Sequence, residues 1–65
     1  MKKETANMIK NLEAKYKDDS EALEIIKQAK TDVEYIEKQE EKSDYKGQPS
    51  KGKVMELEAF LHDWY

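Results

Sequence analysis

The stretch from residue 18 to residue 42, DDSEALEIIKQAKTDVEYIEKQEEK, decides the fold of this chain. Its apolar residues recur at alternating intervals of four and three: Ala22, Ile26, Ala29, Val33 and Ile36. That spacing places their side chains on one face of an α-helix, whereas a strand would require alternation with a period of two. Asp18, Asp19 and Ser20 are natural N-caps at the start. The pattern predicts an amphipathic helix over about residues 19–42.

Two further amphipathic segments flank this central one. Residues 2–17 carry an apolar face that includes Met8, Ile9 and Leu12. Residues 51–64 carry the densest apolar patch of the chain, formed by Val54, Leu57, Phe60, Leu61 and Trp64. The polar break before residue 20 is short, and short connections join antiparallel helices. The sequence therefore predicts an all-α fold: an antiparallel helical hairpin of residues 2–17 and 19–42, followed by a short C-terminal helix.

Residues 43–53 separate the second and third predicted helices. This segment contains both glycines and Pro49, the only proline of the chain, so a continuous helix is excluded there. Four lysines and one aspartate fall between residues 42 and 53. We expect a flexible basic loop at 43–53 inside a single small helical domain that spans residues 1–65.

The hydrophobic core of a chain this short is expected to be small. With 65 residues and 37% hydrophobic residues, a lone chain is marginally stable, and no cysteine is present to form a disulfide. Self-association is another way to bury apolar surface, so we expect a homodimer or higher oligomer, or a fold completed by a partner. The residues expected to mediate self-association lie on the apolar faces of the second and third helices: Ala22, Ile26, Ala29, Val33, Ile36, Leu57 and Leu61.

The composition argues against several classes of function. His62 is the only histidine and has no cysteine near it, which disfavours a metal site and a general base, and no glycine-rich phosphate loop occurs. No enzyme activity, cofactor or metal is therefore expected. The sequence shows neither an apolar signal segment nor a stretch long enough to span a bilayer, so the expectation is a cytoplasmic protein that does not bind membranes.

Charge is distributed unevenly along the chain and indicates the mode of action. Residues 1–17 carry a net charge of +3, residues 18–41 carry −6, and the whole chain carries −3. A row of carboxylates on the central helix favours a protein partner with a basic surface. All twelve basic residues are lysine, and the net charge is negative, so nucleic acid is a less favoured partner.

These patterns predict a small regulatory or inhibitory protein that binds another protein through its acidic helix and its aromatic C-terminal helix. The expected partner-binding residues combine carboxylates with aromatic rings: Glu34, Tyr35, Glu37, Glu41, Phe60 and Trp64. Two alternatives stay open. The first is a regulator that binds nucleic acid through its lysines, and the second is a small structural or assembly subunit.

Overall fold

A computed structural model describes residues 1–64, and within that range it contains three α-helices and no strand. Helix α1 is Lys3–Lys15, α2 is Ser20–Glu40 and α3 is Ser50–Trp64. The prediction of an all-α fold is confirmed, and every helix end lies within two residues of its predicted position. Tyr65, the last residue of the predicted domain, lies outside the described residues.

The three helices pack against one another around a shared apolar core. The buried hydrophobic residues come from all three helices: Ile9, Leu12, Ala22, Ile26, Ala29, Val33, Val54, Leu57 and Leu61. Lys2 lies beside Glu40, and Glu40 lies beside Ser50, so the end of α2 meets the starts of both α1 and α3. Helix α2 is therefore antiparallel to its two neighbours.

The residues expected to mediate self-association lie mostly inside this core. Four of them line the buried face of α2, and Leu57 and Leu61 are buried on α3. Only Ile36 is partly exposed. In the single chain, these side chains pack against the chain's own helices, because α3 folds back onto the hairpin and covers the stripe on α2. A dimer that leaves this fold intact would need another surface.

Helix α2 begins with a side-chain cap from Asp19. Its carboxylate Oδ1 accepts hydrogen bonds from the backbone N–H groups of Glu21 and Ala22, both at 3.1 Å. Of the three candidate caps in the sequence, the structure therefore selects the middle one, since Asp18 precedes the capping position and Ser20 is already helical. The cap pairs two N–H groups that lack partners within the helix.

Replacing Asp19 by alanine is expected to lower the free energy of unfolding by about 1 kcal/mol, the usual cost of losing an N-cap. Asp18→Ala is the matched control, because it removes the same charge next to the helix without touching the cap. Urea denaturation followed by circular dichroism measures both variants. Equal losses of stability in the two would contradict the assignment of Asp19 as the cap.

The segment between α2 and α3 is shorter than predicted, because residues 50–53 form the first turn of α3. The hydroxyl of Tyr45 donates a hydrogen bond of 2.6 Å to the carbonyl of Gln48, and the Gln48 amide donates one of 3.0 Å to Glu56. A Cβ at Gly47 would lie closer than 3 Å to atoms of the Tyr45 side chain. The small size of Gly47 thus allows the tyrosine to fold back over the backbone.

Candidate functional site

A groove runs along the surface between α2 and α3. Its lining residues come equally from the two helices: Ile25, Gln28, Ala29, Asp32, Lys53, Glu56, Leu57 and Phe60. The volume of the groove is about 350 Å³. Ala29 and Leu57 are buried at its floor, and Ile25 is half-buried. The groove therefore joins an apolar floor to polar walls, the usual composition of a binding site.

Two aromatic side chains stand at one end of this groove, and we call Phe60 and Trp64 the aromatic edge. Their ring centroids are 5.8 Å apart with the planes tilted by 34°. Phe60 is 43% exposed and Trp64 is 70% exposed. Paired aromatic rings left in contact with water are a feature of protein-binding surfaces, because each ring can bury a large apolar area on contact.

The exposure of the aromatic edge follows from the geometry of α3. Val54, Leu57 and Leu61 form the buried stripe of this helix. At about 100° per residue, Phe60 and Trp64 fall about 60–100° away from that stripe, toward α2. The sequence places all five residues on one broad apolar side of the helix. The packing of α3 onto the hairpin divides that side into a buried part and an exposed part.

The walls of the groove are predominantly acidic. Asp32 and Glu56 line it, and Lys53 is the single cation among the lining residues. Glu21 lies one helical turn before Ile25, on the same flank of α2, and is exposed. The groove therefore presents an apolar floor bordered by negative charge, a combination that favours a partner carrying both apolar and basic side chains.

The six residues predicted to bind a partner do not form one surface. Tyr35, which is 65% exposed, lies on the same flank of α2 as the groove, one turn beyond Asp32. Glu34 and Glu41 are exposed, but helical spacing puts them on the opposite flank of α2. Of the predicted residues, only the aromatic edge and Tyr35 therefore share a face with the groove.

Glu37, the remaining predicted residue, binds within the chain. Its Oε2 accepts a hydrogen bond of 2.9 Å from the backbone N–H of Lys2 and one of 3.0 Å from the hydroxyl of Thr5. Thr5 is buried, and the α-amino group of Met1 lies 3.9 Å from the other carboxylate oxygen. The carboxylate of Glu37 thus holds the start of α1 against the end of α2 rather than projecting freely into solvent.

Glu40 performs a similar role one turn later. Its carboxylate lies 3.3 Å from the Lys2 ammonium and accepts a hydrogen bond of 3.3 Å from the backbone N–H of Ser50, the first residue of α3. Burial raises the pKa of Glu40, but hydrogen bonds from Ser50 and Lys2 outweigh it, and the pKa lies below its ordinary value. A carboxylate at this point also suits the positive end of the α3 dipole.

Sequence reasoning missed Glu40, because the acidic end of α2 looks like a solvated helix face. One signal was present. Glu40 follows Val33 by seven residues and Val33 follows Ile26 by seven, so Glu40 continues the buried stripe. The contacts of the Glu37 and Glu40 carboxylates with Thr5 of α1 and Ser50 of α3 stabilise the last turns of α2.

Two lysines among those considered for nucleic-acid binding are engaged in ion pairs. Lys2 pairs with Glu40, and the Lys51 ammonium lies 2.8 Å from the carboxylate of Glu4. A side-chain hydrogen bond from Lys51 lowers the pKa of Glu4, and the same bond raises the pKa of Lys51. The Lys51–Glu4 pair is exposed on both sides, so it contributes little to stability. Both pairs reduce the unpaired positive charge on this side of the molecule.

His62 lies on the far side of α3, in a second groove between α3 and α1 that has a volume of about 430 Å³. Its Nδ1 is 3.8 Å from an oxygen of Asp63, and both side chains are largely exposed. Among residues 1–64, no group of three or more acidic or histidine side chains is arranged to hold a metal ion. This second groove offers no feature that singles it out as a reactive site.

None of the helices within residues 1–64 has both the length and the apolar character required to cross a bilayer. Comparison of the chain with protein-family models, with curated proteins and with solved structures gives no match. The geometry of the groove and the aromatic edge is therefore the basis on which a function can be proposed.

Proposed function

We propose that this protein acts by binding another protein, as a small regulatory or inhibitory module, and that the groove between α2 and α3 and the aromatic edge form the contact surface. The observation that carries the proposal is the exposure of Phe60 and Trp64, two neighbouring tilted rings beside an apolar groove. Tryptophan is among the residue types that contribute most to the free energy of protein association, and phenylalanine is enriched at protein interfaces.

Neither ring of the aromatic edge belongs to the hydrophobic core. Each helix already buries its own apolar stripe, and the core is closed without the aromatic edge. A ring of this size that remains in water forgoes a favourable transfer free energy of about 25 cal/mol for each Å² left uncovered. A partner that covers both rings would recover that energy, which supports a role in binding.

The residues of the groove support binding rather than catalysis. Its ionisable side chains are Asp32, Lys53 and Glu56, and its eight lining residues include no histidine, cysteine or serine. The groove thus offers no nucleophile with an adjacent base. Its acidic walls also oppose the approach of phosphate groups, so the same surface favours a protein over a nucleic acid.

A homodimer stays a prediction. The residues first expected to form the dimer lie mostly in the core, so a dimer would have to use another surface, and the aromatic edge is the most apolar one exposed on α3. Sedimentation of the wild-type chain and of a variant without the aromatic edge tests this. A dimer that dissociates in that variant would assign the aromatic edge to self-association.

The double substitution Phe60→Ser and Trp64→Ser is expected to reduce capture of a protein partner from a lysate of the source cell at least tenfold, because a hot-spot aromatic residue contributes about 2 kcal/mol or more. Capture is measured with the immobilised chain, after nuclease treatment, by quantitative mass spectrometry. Circular dichroism verifies that the doubly substituted chain remains helical.

Met55→Ser is the matched control. Met55 is 56% exposed on the same helix but lies on the side that faces α1, away from the aromatic edge. We expect this variant to capture the partner as well as the wild type does. Capture that survives the loss of the aromatic edge would refute the proposal. Capture that disappears with nuclease would refute it as well and would favour nucleic-acid binding through the lysines.

A further inference from the structure

We infer that the partner element recognised by the groove is a basic amphipathic α-helix, which would lie between α2 and α3 as an additional helix of the bundle. This inference rests on the proposed function and specifies the chemistry of the partner. It follows from two independent observations, the spacing of the residues on the two walls and the sign of the charge around them.

The spacing of the lining residues is that of a helix-packing face. The wall from α2 consists of residues 25, 28, 29 and 32, and the wall from α3 consists of residues 53, 56, 57 and 60. Both follow the same i, i+3, i+4, i+7 pattern, which is the pattern with which one helix contacts another. Each wall extends over about two helical turns, or about 10 Å. Two walls of this kind, lying side by side, accept one further helix along their length.

The apolar positions within the groove define where the partner's apolar residues would contact it. Ala29 and Leu57 form the floor, and the small side chain of Ala29 allows close approach of another helix. Ile25 and Phe60 lie one turn away, followed by Trp64, whose ring lies tilted beside that of Phe60. The groove therefore offers an apolar strip that ends in two rings, suited to two or three successive apolar residues on one face of a helix.

The charges flanking this strip select for basic residues in the partner. Asp32 on one wall and Glu56 on the other border the floor, and Glu21 adds a third carboxylate near the aromatic edge. Lys53 is the only cation among the residues that line the groove. A helix with lysine or arginine on both sides of its apolar stripe would place a cation opposite a carboxylate on each wall, whereas an acidic helix would meet like charge.

The same charges disfavour other occupants. In a symmetric pairing, the groove of one copy would face the same groove of the second copy, so two surfaces of the same net negative charge would be brought together. Anionic lipid headgroups and nucleic-acid phosphates would be repelled as well. A basic helix is the occupant that satisfies both the shape and the charge of the groove.

The chain carries its own reporter for this interaction, because Trp64 is its only tryptophan and belongs to the aromatic edge. The probe is a tryptophan-free synthetic helical peptide of about four turns, with leucine at the inward-facing positions and lysine at the flanking positions. We expect the fluorescence of Trp64 to shift to shorter wavelength on titration, with a Kd on the order of 1–100 µM at low salt. The same peptide with glutamate at the flanking positions is expected not to bind.

Three variants test whether the groove itself is responsible. Asp32→Lys is expected to weaken binding of the lysine peptide about tenfold at low salt, because it replaces a carboxylate of the wall by a cation. Glu34→Lys makes the same change of charge on the opposite flank of α2, and we expect less than about a twofold effect. Phe60→Ser leaves every charge and the Trp64 reporter in place, and it should weaken binding at least tenfold.

Several results would overturn the inference. Equal weakening by Asp32→Lys and Glu34→Lys would show only a general attraction of a basic peptide to an acidic protein. Binding that is unaffected by Phe60→Ser, or equal binding of the glutamate peptide, would also contradict a basic helix in the groove. If neither peptide binds but capture from lysate still depends on the aromatic edge, this inference is refuted and the proposed function is retained. Capture that is independent of the edge would refute the proposed function.

Discussion

Replacing Ile26 by alanine is expected to lower the free energy of unfolding by about 2–5 kcal/mol, enough to leave the chain largely unfolded in moderate urea. Ile26 is only 1% exposed and belongs to the core shared by all three helices. A domain of this length has a total stability of about 3–10 kcal/mol. A cavity at this position therefore removes a large fraction of the whole stability.

The neighbouring Ile25 provides a matched control, because Ile25→Ala deletes the same atoms one residue earlier in the same helix. Ile25 is half-buried at the groove, so its loss should cost about 1 kcal/mol or less. Urea denaturation followed by far-ultraviolet circular dichroism measures both free energies. Similar losses for the two variants would mean that the core is not organised around the stripe that contains Ile26.

Charge reversal at Glu40 is expected to have the second-largest effect on stability. Glu40→Lys places an ammonium group against Lys2 and against the positive N-terminus of α3, and it removes the acceptor of the Ser50 N–H. We expect the Tm to fall on the order of 5–10 °C. Glu41→Lys changes the net charge equally at an adjacent exposed position, and it should leave the Tm nearly unchanged, because a cation near the end of α2 suits its dipole.

The pH dependence provides a second measurement of the same contact, with Glu40→Gln as the variant. The pKa of Glu40 is lower in the folded chain than its ordinary value of 4.5, so its ionised form stabilises the fold. That stabilisation is present above pH 4.5 and is lost as the pH falls through the lowered pKa. The difference in Tm between the wild type and Glu40→Gln should therefore disappear in acid. A difference that stays constant with pH would contradict this role.

The sequence by itself determined the helices. The intervals of four and three between Ala22 and Val33 predicted α2, and a helical pattern of this length resists other interpretations, because each residue adds to the same periodic signal. Pro49 marked the break before α3, whose predicted start at residue 51 lies one residue from the observed Ser50, although Gly52, assigned to the loop, lies inside the helix. These features are local, so they can be recognised without knowledge of the rest of the chain.

Only the tertiary structure decided which apolar residues stay exposed. The aromatic rings at positions 60 and 64 and the buried Leu61 belong to one apolar side of α3 in the sequence, yet the direction from which the hairpin covers that helix leaves the rings in water and buries Leu61. Residue type already marks both rings as candidate partner-binding residues, and their exposure leaves them available for that role.

Tertiary structure likewise separated carboxylates that are chemically identical. Glu37 and Glu40 contact α1 and α3, while Glu34 and Glu41 remain in solvent on one flank and Asp32 borders the groove on the other. The sequence records a run of acidic residues on one helix. Which of these carboxylates contact other helices depends on where the neighbouring helices pack. That packing is determined by contacts between residues far apart in the chain.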